Sequence, residues 1–293
     1  MQQSVADIIS NEENTALMLI DIGAFAFRDI LSKFPKRAKN IGIFEPGTIS
    51  LAAGLSLSGI VPIVYGISPY IVQRSLEQLK LGFVYQNLCG NFITTGASYD
   101  FSALGYSHYC PEDVATLRLL PGFEVLAPGT PEQFEALFNY CWNNKRPTYY
   151  RMTDFCNSFQ VKVEFGKANV IRQGKDATVV VMSEMLDIVL ESCAGLDVTI
   201  LYYTTMIPFD RETLAKEFVG GKLFICHPFY EGTFAADVMA TLQGEIHHLD
   251  EVAVPLEVLR TYGRKCDKDL DLGLDTDSIR NCLVNLLNKE TIR

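Results

Sequence analysis

Several familiar signatures are missing from this 293-residue chain, and each absence removes a class of chemistry. No GxGxxG follows an apolar run and no GxxxxGK[ST] occurs. The nearest candidate, Gly47 to Gly54, fits neither pattern, so the usual phosphate cradles of nucleotide binders are lacking. There is no GxSxG elbow and no HExxH pair, which removes the common hydrolase nucleophile and the helical zinc-protease site. The eight cysteines form no CxxC pair, and His227, His247 and His248 stand at no zinc-ligand spacing from them. Reduced thiols in a cytosolic protein are expected, and no metal site. Basic residues are outnumbered, 25 Lys+Arg against 35 Asp+Glu for a net charge of −10, so a nucleic-acid footprint is excluded. No apolar run approaches the roughly 18 residues of a membrane span, and Met1–Asn14 has no apolar signal core. No membrane association and a cytoplasmic location follow as expectations.

What is present reads as a globular α/β chain. Hydrophobic residues make up 48% and charged residues 20%, and the length exceeds the roughly 100–200 residues of one domain. Apolar runs that predict strands (Ala16–Ile22, Ile41–Phe44, Val61–Tyr65, Phe92–Thr95, Glu124–Ala127, Thr148–Arg151) alternate with helical stretches. The helices expected are Ala26–Phe34, Thr48–Ser58, Ile71–Tyr85, Pro111–Leu119 and Pro131–Asn143, the last with Thr130 as N-cap. Asp154–Gln173 loses the rhythm and reads as a linker with a leading strand. A second series follows, with strands Ala177–Val181, Asp197–Tyr202 and Lys222–Cys226. Its helices are Glu184–Ala194, Arg211–Phe218, Phe234–Leu242 and Asp277–Asn288, with Asp277 as cap. Such alternation implies parallel sheets flanked by helices.

One residue stands out locally. Asn40-Ile-Gly-Ile-Phe-Glu45 sets a glutamate at the end of an apolar run, before a helix of small residues. In open α/β sheets, ligand sites form at the carboxyl ends of strands. An acid at that position can equally complement the helix dipole, and the local sequence leaves both open.

The wider pattern resembles the pyrimidine-binding domain of the transketolase superfamily. The resemblance runs in order through Phe34-Pro35-Lys36-Arg37, the Glu45 segment and Ala52 to Pro62, then Arg74-Ser-Leu-Glu-Gln78, Gly105-Tyr-Ser-His108, Glu112-Asp113, Leu117-Arg118 and Pro121-Gly122. Gly174-Lys-Asp176 and Ile207-Pro-Phe-Asp210 resemble the family's C-terminal domain, so nearly the whole chain is covered. The resemblance implies two three-layer α/β/α domains. Residues 1–158 would hold a parallel sheet and the pyrimidine-binding site, and residues 159–293 a smaller mixed sheet.

It also implies thiamine diphosphate. In the family a glutamate hydrogen-bonds a ring nitrogen of the cofactor's aminopyrimidine, so that the imino group can take the thiazolium proton. The protein supplies tautomer control and orientation, and Glu45 matches that glutamate. An aromatic ring stacks on the pyrimidine; Tyr70 falls there, or Ile71 in the alternative register, with Arg74 following on the same helix. Stacking needs a flat face, which favours Tyr70. His108 matches a histidine on the substrate side. Arg151 matches an arginine that contacts an acceptor phosphate, for which a planar fork is suited; an ion pair is its plainer alternative.

Departures from the family pattern are equally informative. Leu104 replaces a carboxylate that reads a donor sugar's hydroxyl, and Gly96 stands where the family has a histidine; Asp100 is a candidate to compensate. An ordinary ketose-phosphate donor is therefore in doubt. His227 stands in a segment where the family often has E-x-x-x-x-G-G, and reads as a strand-end residue. The G-D-G…N element that holds Mg²⁺ against the diphosphate is missing from this chain. The expectation is a β-type subunit of a split transketolase, completed by an α-type partner carrying the Mg²⁺ ligands, in an α2β2 heterotetramer. The substrate would be a small sugar or 2-oxo acid. The alternatives are the β subunit of a 2-oxo-acid dehydrogenase and a non-catalytic assembly subunit.

Overall fold

Long β-branched and aliphatic runs with no polar alternation are stable only when both faces of a strand are covered. That condition organises the computed structural model, which describes residues Met1–Glu290. Its first sheet contains β1 (Thr15–Leu19), β2 (Ala38–Asn40), β3 (Val61–Ile67), β4 (Gly90–Thr95), β5 (Glu124–Leu126), β6 (Pro147–Arg151) and, from later in the chain, β10 (Thr205–Ile207). The second contains β7 (Asn169–Arg172), β8 (Ala177–Met182), β9 (Val198–Tyr203), β11 (Lys222–Tyr230) and β12 (His248–Val254). Strands β1, β4, β6, β8, β9 and β11 are buried along their whole length. The first sheet has the order β10-β5-β6-β4-β3-β1-β2 and the second β12-β11-β8-β9-β7. Pairing is parallel except at two edges, β10 on β5 and β7 on β9.

The edge strand β10 lies beyond the expected boundary at residues 158/159, yet it completes the first sheet. The core is likewise continuous across the two halves. One cluster joins Met18, Ile49 and Phe92 to Val180, Leu201 and Phe234.

Several expected elements are redrawn. Ile41–Phe44 is loop, and the strand lies upstream at Ala38–Asn40. Gly42 adopts φ +84, outside the strand region, and its N–H donates to Asn40 Oδ1 at 3.1 Å. The single helix expected over Ile71–Tyr85 is broken into Ser68–Val72, Leu76–Gln78 and a π-helical turn Leu79–Val84. Asp275, not Asp277, caps the last helix by accepting from the N–H groups of Asp277 and Ser278. Thr130 caps Pro131–Cys141 as expected, its hydroxyl accepting from Gln133 N–H at 3.2 Å. The eight cysteines are all unpaired. No helix among the described residues is long and apolar enough to cross a membrane.

The two sheets meet at a wholly buried charge, Arg151 at the end of β6. Its Nε donates to Asp113 Oδ2 at 3.1 Å and its Nη1 to Glu184 Oε2 at 3.3 Å, the latter from the second half of the chain. Nη2 donates to Ser98 Oγ, and the guanidinium lies 4.7 Å from the Phe229 ring centre. Two carboxylates and a hydroxyl satisfy the buried cation. The ion-pair alternative for Arg151 is thus the one the chain makes by itself: each of its three nitrogens donates to a buried partner, and the side chain is wholly buried. Removing it leaves Asp113 and Glu184 buried without a counter-charge. Arg151→Ala is expected to lose about 3–5 kcal/mol in denaturant unfolding; a loss within about 0.5 kcal/mol would contradict this account of the seam.

Candidate active site

The functional candidates gather at the carboxyl end of the first sheet, next to the point where strand order reverses between β1 and β3. Three connections deliver them. The β2 connection ends in helix Glu45–Leu57, with Glu45 and Pro46 opening its first turn. Phe44 folds back over this turn so closely that a Cβ on Gly47 would stand 1.9 Å from the ring. The chain enters the helix with Glu45 turned inward, 4% exposed. The β3 connection opens helix Ser68–Val72. The Ser68 hydroxyl is tied to β4, donating to Thr94 Oγ1 and to the Thr95 carbonyl, each at 3.0 Å. The β4 connection carries two short 3₁₀ turns, Ser102–Leu104 and Tyr106–His108.

These connections bring four of the six candidates into one line. Arg74 Nη1 donates to Glu45 Oε1 at 3.3 Å, and the same guanidinium lies 3.7 Å from the centre of the Tyr70 ring. The Tyr70 hydroxyl and His108 Nε2 are 2.9 Å apart, and their rings meet edge-on with centroids 5.4 Å apart. Ser107 Oγ lies 3.1 Å from His108 Nδ1. With the ring proton on Nδ1, Ser107 accepts it and Nε2 accepts from the Tyr70 phenol. Burial first, and the Arg74 charge second, hold the His108 pKa below its ordinary value. The imidazole is accordingly neutral near pH 7, able to donate from one nitrogen and accept at the other.

Ile71 and Arg151 are not in this line. Ile71 is wholly buried, its side chain against Gly66. Tyr70, by contrast, is partly exposed. Glu45 opens a helix after a loop and does not end a strand.

The two departures also gain a physical basis. The ring of Phe101 lies 2.5 Å from where a Cβ on Gly96 would stand, so it fills the space of any side chain at that position. It meets the His108 ring edge-on at 6.3 Å. Leu104 is largely exposed on the rim beside His108, near exposed Tyr106. Asp100 does not replace the missing polar groups. It turns inward, with one oxygen accepting from Asp154 N–H at 3.3 Å and the other buried without a partner. Phe101 carries no advance signal, and although Tyr106 and Ser107 stand within the Gly105–His108 motif, their contacts depend on how the 96–110 connection folds. His227 lies within β11, fully buried, with Nε2 at 2.8 Å from Glu251 of β12. It takes no part in the line from Glu45 to His108.

Known proteins share the sequence pattern and the fold. The family described as "Transketolase, pyrimidine binding domain" matches residues 9–154. The chain is 31% identical over 288 residues to an uncharacterized 33.6 kDa protein in the fasciation locus of Rhodococcoides fascians, covering 97% of this chain and 92% of that one. It is 24% identical to one of the subunits of apulose-4-phosphate transketolase from Phocaeicola vulgatus, covering 91% and 89% respectively. Among solved structures, a split gene transketolase described as an inactive beta4 tetramer superposes with a TM-score of 0.85, at 22% identity, covering 98% of this chain and 96% of that one.

Two outcomes test the electrostatics. Arg74→Gln removes the positive charge beside His108, so the imidazole should titrate at a higher pH than in the unaltered chain, read from its ring-proton shifts; an unchanged or lower midpoint would contradict the arrangement. Burial, and then the Glu184 charge, push the Asp100 carboxyl up to about 7. The folded chain thus keeps a proton that the unfolded chain releases near its ordinary value of about 4. Stability from this group falls as the pH rises from about 4 to about 7. Asp100→Asn should raise the urea midpoint at about pH 8 and change it little at about pH 4. An equal effect at both would refute the protonated carboxyl.

Proposed function

The chain belongs to the transketolase superfamily, and from that membership we propose that it is the β-type subunit of a two-chain, thiamine-diphosphate-dependent, transketolase-like enzyme. The reaction would move a two-carbon ketol unit from a ketose or 2-oxo donor to an aldehyde acceptor. The observation that carries this reading is the line Glu45–Arg74–Tyr70–His108 at the carboxyl end of the first sheet. A nearly buried carboxyl beside a partly exposed aromatic ring suits an aminopyrimidine. Glu45 Oε1 is engaged by Arg74, while Oε2 makes no hydrogen bond among the described residues and is free for a ring nitrogen. Arg74 holds the carboxyl in place and covers one face of the Tyr70 ring.

When bound, thiamine diphosphate supplies a nucleophilic thiazolium carbon. The chain's part is to share a proton between Glu45 and the pyrimidine, to orient that ring with Tyr70, and to present neutral His108 to a substrate hydroxyl or carbonyl. Phe101 and Leu104 make the neighbouring wall apolar, which favours a substrate poorer in hydroxyls at that point. With Arg151 occupied at the seam, any phosphate on the acceptor would be held by other groups.

Among the described residues no group of three or more His, Cys, Asp or Glu is placed to hold a metal ion. In this proposal Mg²⁺ and the diphosphate belong to an α-type partner, in an α2β2 assembly. Two observations support a partner, the first of them on this face. Phe25, Ile43 and Phe44 are 81%, 71% and 62% exposed at the same end of the sheet as Glu45, and such apolar clusters mark contact surfaces. The relative in Phocaeicola vulgatus is named as one subunit of a transketolase, which also favours transketolase chemistry over the 2-oxo-acid dehydrogenase alternative.

The test is Glu45→Ala in the co-expressed pair. Turnover should fall by at least roughly 10²–10⁴-fold, the range of a lost acid–base group, while the pair still assembles by size-exclusion chromatography. Full activity in that variant would sink the assignment.

A further inference from the structure

The second half of the chain has no catalytic motif, yet it grips the connection that carries His108. We infer that Tyr262 is a positioning residue for His108, acting through Gly105. Residues 96–110 leave β4, run through the two 3₁₀ turns and return to pair Cys110 N–H with the Ser98 carbonyl at 2.7 Å. Gly105 joins the turns at φ +79 and ψ −170, a conformation that requires glycine. The ring of Tyr262 lies against its open Cα, 2.4 Å from where a Cβ would stand. The His108 N–H donates to the carbonyl of this same Gly105 at 2.9 Å.

Neighbouring contacts hold the connection from the same side. The Tyr109 hydroxyl donates to the Thr261 carbonyl at 3.1 Å, one residue before Tyr262. The Tyr99 hydroxyl donates to Asp269 Oδ1 at 2.7 Å, and Asp269 is fixed by Lys265 at 2.9 Å. Lys268, almost wholly buried, pairs with the Thr261 hydroxyl. On its own side the imidazole is met by Tyr70, Ser107 and the edge of Phe101. Its 2.9 Å bond to Tyr70 therefore depends on where the second half sets Gly105. A reacting group must be held to about 0.5 Å, which is the task of such a support.

The functional consequence rests on His108 being the substrate-side group; the positioning itself does not. The positioning is read on the full-length chain by NMR titration of its four histidines, with His108→Asn assigning the signal. Arg74 is the charged group that depresses the His108 midpoint, after burial. Tyr262→Ala should free the turn, so the midpoint rises toward the ordinary value of about 6.5, with far-UV circular dichroism unchanged. Tyr262→Phe keeps the ring and should keep the original midpoint. Should Tyr262→Ala not fold, Tyr109→Phe, which loses only the hydroxyl and its bonds, decides by the same upward movement. An unmoved midpoint in the variant that folds, or an equal shift in Tyr262→Phe, overturns the inference. Full activity of His108→Asn in the paired enzyme would instead overturn the substrate-side role and leave the positioning result standing.

Discussion

A single cation out of water governs the arrangement. Arg151 cannot be buried unless its charge is met, and the groups that meet it come from three places: Ser98 after β4, Asp113 beyond the His108 turn, and Glu184 after β8. Satisfying one guanidinium thereby fixes the second sheet against the first. The network continues toward the site. Asp113 accepts from the Tyr149 hydroxyl at 3.0 Å, Tyr149 is 2.9 Å from Thr94 Oγ1, and Thr94 meets Ser68, which opens the helix bearing Tyr70 and leading to Arg74. A buried polar chain of this kind is favourable only when every member is paired. It gives the site a rigid floor, on which side-chain chemistry can be set with little freedom.

On that floor, charge is arranged with restraint. Arg74 is half-exposed and makes one contact with the nearly buried Glu45, so this pair is open to rearrangement on binding, unlike the sealed pairs of Arg151. The same guanidinium disfavours a charged His108, so one residue serves both ends of the line. The apolar Phe101 at the position opposite Gly96 removes a competing hydrogen-bond partner. Together these features suit a site that binds a flat, weakly basic ring at one end and an uncharged reacting group at the other.

The sequence discloses the elements with long uninterrupted apolar runs, because burial on both faces leaves that mark. Glu45, Tyr70, Arg74 and His108 are singled out by the resemblance to a family pattern, where the local residues alone left their roles open. The role of Arg151 is not legible: an arginine at a strand end looks the same whether a ligand or Asp113 and Glu184, 38 and 33 positions away, supply its counter-charge. Ile41–Phe44 misleads because an apolar run is compatible with an exposed loop once Gly42 turns left-handed. The break in Ile71–Tyr85 has no signal in periodicity, and β10 and β12 are too short or too polar to stand out. Tyr262 lies 157 positions from Gly105 in the chain, and only the fold unites them.

The central claim is that Glu45 receives the pyrimidine end of a cofactor whose diphosphate is held by another chain. Its most direct test is the crystal structure of the co-expressed pair with thiamine diphosphate. The account predicts a Glu45 carboxylate oxygen within hydrogen-bond reach of a pyrimidine ring nitrogen, Tyr70 facing the ring, and metal ligands on the partner alone. A cofactor seated away from Glu45, with that carboxylate still bound only to Arg74, would contradict it.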